Sequence, residues 1–122
     1  MKRTEKKEIL LRILESIFED RTKEIDELNC ISFYHFLLDT LEDEIFQIPE
    51  EEESVISLCY SMIELLTNFD LLEIEPTHWN YTNTKNYLKG YSGLNSDEYE
   101  DSISKFRKIY ILIKNQYFLN LP

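Results

Sequence analysis

The sequence predicts an all-α protein, a bundle of four main helices plus one short helix. Three observations carry this. Glycine and proline are scarce, at 2 and 3 of 122 residues, whereas turn-rich β folds use more of both. Apolar residues recur at three- and four-residue steps over most of the chain. Hydrophobic residues make up 43%, enough for a core, and the length suits one domain spanning residues 1–122.

The first helix is predicted over 4–28, where Leu10, Leu14, Ile17, Phe18, Arg21, Ile25 and Leu28 share a face and Thr4 can cap the start. A second follows over 29–46, with Asn29 or Ser32 as N-cap and Tyr34, Leu37, Leu38, Leu41 and Ile45 as its stripe. Pro49 ends that helix and suits the first position of a third, over 49–68. Val55, Leu58, Cys59, Met62, Ile63 and Leu66 face inward there. Ile56, Tyr60, Leu65 and Phe69 widen the face almost all round and make this the most buried element. Residues 70–75 fit either a short strand or another helical turn, and Pro76 is a stop. The stretch 77–95 reads as a long connection with a short helix near 83–90. The last helix begins at Asn95 or Ser96, with Asn95 and Glu98 at capping-box spacing. Tyr99, Ile103, Phe106, Tyr110, Ile113 and Tyr117 then step by four and three, the pattern of a central bundle helix or, as the alternative, a dimer zipper.

Charge is segregated. Residues 24–75 hold fifteen Asp/Glu and no Lys or Arg, while both flanks are slightly basic. A solvated surface usually mixes signs. Such a segment does not suit binding to nucleic acid or to an anionic membrane. Cys30 and Cys59, the only cysteines, fall in apolar runs and read as reduced core residues. The basic N-terminus leads into an apolar stretch broken by Arg12 and Glu15, unlike a signal peptide, and no apolar run approaches the roughly 18–20 residues of a membrane span. The expectation is a cytoplasmic protein, monomeric or a weak homodimer.

Catalytic and metal motifs find no complete match. His35 and Asp39 have ligand spacing on one helix, but two histidines make no His-rich site, and Pro76 separates Glu75 from His78. The run "NSDEYED" at 95–101 lacks the glycine of a calcium loop, and its twelfth position is Phe106. Phosphate loops, nucleophile elbows and the HExxH pattern are missing. The expectation is no cofactor, no metal and no catalysis.

The acids of the middle segment sort by helix physics. Glu50, Glu51, Glu52 and Glu53 open the third helix, where carboxylates favour the positive end of the dipole. Glu42, Asp43 and Glu44 close the second, where the dipole disfavours them and Lys or Arg is the usual residue. A short 46–49 link makes the two helices antiparallel neighbours, so with Asp39 these acids gather at one tip as a negative knob for a cation-rich protein. Trp79 and Tyr81, in an Asn- and Thr-rich segment, have the composition of a binding surface, or equally of a loop anchor. The leading expectation is a non-catalytic acidic protein that neutralises a basic partner, such as an immunity protein or antitoxin covering a toxin nuclease, or a nucleic-acid mimic. The alternatives are a small acidic chaperone or adaptor for a secreted protein, and a small helical enzyme.

Overall fold

The structure, a computed structural model, describes residues 3–20, 27–71, 73–74 and 79–120. These form α1 (Arg3–Ile17), α2 (Glu27–Ile45), a 3-10 turn (Glu50–Glu52), α3 (Glu53–Asp70), α4 (Tyr81–Ser92) and α5 (Ser96–Leu119). No strand occurs among the described residues, and the class is all-α as predicted.

The first helix departs most from expectation. It ends at Ile17 rather than continuing to 28. Glu19 adopts a left-handed φ of 56°. The Glu19 N–H donates to the Ser16 carbonyl at 3.3 Å and the Asp20 N–H to the Glu15 carbonyl at 3.0 Å. That pair of bonds is a Schellman motif, with glutamate where glycine is usual. The apolar period continues past the break, so it carries no sign of the stop; Arg21 and Ile25 lie outside the described residues, and Leu28 belongs to α2. α1 already includes Thr4, and α2 starts ahead of Asn29 and Ser32, so none of the three is a cap.

α2 buries Cys30, Phe33, Tyr34, Leu37, Leu41 and Ile45, a single stripe. α3 buries Val55, Leu58, Cys59, Met62, Leu65, Leu66 and Phe69. Its apolar surface does not close all round. Tyr60 is 54% exposed and Ile63 is only partly covered, because both point away from the centre of that stripe. Beyond α3, Leu71 and Glu73 bond back to Thr67 and Asn68 at 2.9 and 3.0 Å, so the chain turns there. Pro76 and the Glu75–His78 pair lie outside the described residues.

α4 is longer than the predicted 83–90. The Asn80 side chain accepts from the Asn83 N–H at 3.0 Å, and Gly93, with φ 71°, ends the helix. The Asn95–Glu98 capping box forms at the start of α5. The α5 seam turns inward. Tyr99, Phe106, Tyr110, Ile113 and Tyr117 are buried within the chain, with Ser102 replacing the half-covered Ile103. α3 packs against α2, α4 and α5, and α1 packs on α2 and α4.

Rings and ions join the two ends of the chain. Phe18 lies 5.2 Å from Phe106 and 4.7 Å from Tyr110. Lys114, 0% exposed, pairs with Glu15 at 2.8 Å and Asp20 at 3.4 Å. Burial raises the Glu15 carboxyl, and the Lys114 hydrogen bond and charge oppose that rise. No described helix is long and apolar enough to cross a membrane.

Candidate functional site

The tip where α2 hands over to α3 is built by local chain chemistry. After Ile45 the Phe46 N–H donates to the Asp43 carbonyl at 3.3 Å and the Gln47 N–H to Glu44 at 2.9 Å, which closes the helix. Pro49, at φ −58°, then starts the 3-10 turn, and the Glu52 N–H returns to its carbonyl at 2.9 Å. No side chain caps α3 at Glu52. The four glutamates therefore meet the positive helix end as nearby charge rather than as a bonded cap. They are split between the turn and the helix: Glu50–Glu52 form the 3-10 turn and only Glu53 lies in α3.

α2 packs on α3, so the last turn of one lies beside the start of the other. Asp39, Glu42, Asp43, Glu50, Glu51 and Glu53 are exposed; Glu44 and Glu52 are partly covered. The last turn of α2 holds no basic residue. Among the described residues, Glu52 alone of these eight has an ion-pair partner. Lys105 of α5 reaches it at 3.0 Å and also pairs with Asp101 at 3.2 Å. No group of three or more described His, Cys, Asp or Glu side chains is placed to hold a metal ion. Cys59 is buried behind the tip, and its thiol is pushed up to about 12 by burial, with the Glu44 charge adding to the rise. It stays protonated and unreactive at neutral pH.

Apolar surface lies among these acids. Phe46 is 88% exposed. With Glu42, Ile45, Tyr60 and Ile63 it lines a groove of about 330 Å³ between α2 and α3. On the other flank of α2 a groove of about 400 Å³ runs against α5, lined by Thr40, Glu44, Ile109, Leu112, Gln116 and Leu119 among others. Leu112 and Leu119 are 68% and 81% exposed.

Trp79 does not join the tip. Its ring packs on Phe69 at 5.6 Å and on Tyr87 at 6.0 Å, and its indole N–H is buried without a hydrogen-bond partner among the described residues. Phe69 lies near the far end of α3 from Glu53, about 24 Å along the axis at 1.5 Å per residue. Trp79 thus anchors its segment to the core. Tyr81 is exposed at the start of α4, within electrostatic reach of the Tyr99 hydroxyl.

Phe46 and Tyr60 are the tip residues that the sequence reading missed. Tyr60 is one step, about 100°, from Cys59 on the helix, so a stricter reading of the stripe would have turned it outward. Phe46 follows the last core residue of α2 inside a link, where helical period no longer applies. No protein-family model matches this chain, and no curated protein or solved structure matches it.

Proposed function

We propose that this protein is a non-catalytic acidic binding protein that neutralises a basic protein partner, in the manner of an immunity protein or antitoxin that covers a toxin nuclease. The observation that carries the reading is the last turn of α2. Glu42, Asp43 and Glu44 stand at a negative helix end and, among the described residues, have no cation of this chain to pair with. The fold gains nothing electrostatically from them there. A cation-rich surface would gain much, because complementary charge speeds encounter and rejects wrong partners.

The test is retention of basic proteins from host extract on the immobilised chain. Elution by salt, and weaker retention on a Glu42→Gln/Asp43→Asn/Glu44→Gln variant, is the expected result. Equal retention by the variant overturns the reading. A second reading, a chaperone or adaptor for an exported protein, draws on Leu112 and Leu119, exposed beside the α2–α5 groove. A chaperone would retain its client through Leu112→Ala-sensitive, salt-insensitive contacts.

A further inference from the structure

We infer that the groove between α2 and α3 takes an apolar anchor side chain, a Leu or Phe, from a lysine- or arginine-flanked helical segment of the partner protein. This deepens the reading of the tip as a site for a basic protein and rests on it. Charge alone does not explain the surface. A phenyl ring 88% in water and a half-exposed Tyr60 border a floor of Ile45 and Ile63. Scattered exposed apolar residues need no explanation, but a contiguous apolar patch rimmed by polar groups marks an interaction site. Aromatic residues are also the ones that most often carry interface energy.

The occupant follows from complementarity. Glu42 stands in the wall of the groove itself, and Asp43 follows it on the exposed side of α2. An apolar side chain entering the groove brings its neighbours against carboxylates. Lys or Arg one turn away can lay an aliphatic stem on Phe46 and place its charge at the acids. The α2–α5 groove does not suit the same ligand. Glu44 is the one acid in its wall, the rest of its polar lining is the uncharged Thr40, Asn115 and Gln116, and no exposed aromatic ring borders it.

Three synthetic probes test this: a helical peptide with a central Leu among lysines, its Ala counterpart, and oligolysine of equal charge. Binding is measured at low and high salt to the wild type and to Phe46→Ala, Tyr60→Ala and Leu112→Ala, with a thermal melt of each variant to verify folding. The Leu peptide should bind roughly ten-fold or more tighter than the Ala peptide. Phe46→Ala and Tyr60→Ala should each remove that difference at both salt concentrations while oligolysine binding is unchanged, and Leu112→Ala should have no effect. Equal binding of the Leu and Ala peptides, with oligolysine still bound, overturns the anchor and leaves the acidic reading standing. Failure of all three probes at low salt overturns both. Sensitivity to Leu112→Ala in place of Phe46→Ala assigns the anchor to the other groove and overturns the inference. So does sedimentation as a dimer that Phe46→Ala converts to a monomer, since a second copy then fills the groove.

Discussion

Glu19 holds a backbone conformation that costs an L-residue roughly 1–2 kcal/mol, and its carboxylate meets Arg107 of α5 at 2.8 Å. Glycine there removes the steric cost but frees the unfolded chain, whereas a β-branched residue worsens the strain. Melting temperatures should therefore rank Glu19→Gly at or above wild type and Glu19→Val clearly below it. The opposite order would mean that the left-handed turn does not end α1. Lys114 poses a sharper case. Replacing it with Ala takes away the ammonium with which the buried Glu15 carboxylate pairs, a change expected to cost about 3–5 kcal/mol in urea unfolding. Burial already raises the Glu15 carboxyl from its ordinary 4.5, and without Lys114 it loses the main group that holds it down, leaving only the smaller pull of Arg12. A raised group stabilises the fold when protonated, so that contribution is present at acid pH and lost as pH rises through its folded value. Lys114→Met should accordingly regain stability as pH falls from neutral toward about 4.5, which a set of melts across that range would detect.

Helix ends and helix seams differ in how they respond to change. Phe106 is fully buried and packs at a tilt against Phe18, so Phe106→Ala should cost about 3–5 kcal/mol, a large share of the stability of a domain this size. A melting temperature within a few degrees of wild type would make α5 peripheral. At the tip the sign reverses. Converting Glu42, Asp43 and Glu44 to amides removes charge from the wrong end of α2 and should raise stability by a few tenths to about 1 kcal/mol per site. The same change at Glu50, Glu51 and Glu53 should lower it modestly, because there the charge complements α3. Much of this element scale is legible in the sequence. The α5 seam, the Asn95 cap, the α3 stripe and the placement of acids at two facing helix ends all follow from period and dipole. Three features do not. The stop of α1 uses a glutamate where a chain reader looks for glycine. Lys114 sits in the buried face of α5, which polarity alone assigns to solvent. Phe46 follows the last core residue of α2 inside a link, where no helical period says that its ring faces water.

At the scale of the whole molecule, most of the cations among the described residues are engaged in internal pairs. Lys7 meets Asp70 at 2.8 Å, Lys85 meets Glu100 at 3.4 Å, and Lys105, Arg107 and Lys114 are engaged as described. The acids of the tip repel one another through water, and added salt screens them. The melting temperature should therefore rise with monovalent salt, and rise less in the Glu42→Gln/Asp43→Asn/Glu44→Gln variant. On the alkaline side, burial raises Cys59 from 9.0 and both Tyr99 and Tyr110 from 10.0. These groups stay protonated when folded and ionise when unfolded, so stability should decline as pH climbs past about 9. The division between tip and interior has an evolutionary consequence. Phe46, Glu42, Asp43, Glu50, Glu51 and Glu53 all project outward and take no part in the buried cluster. Substitutions there leave the buried cluster untouched, so if the tip is the recognition surface proposed above, one pattern of charge can replace another without passing through unfolded intermediates. On that proposal, a basic partner that alters its surface can be followed residue by residue, on a scaffold that never has to be reinvented.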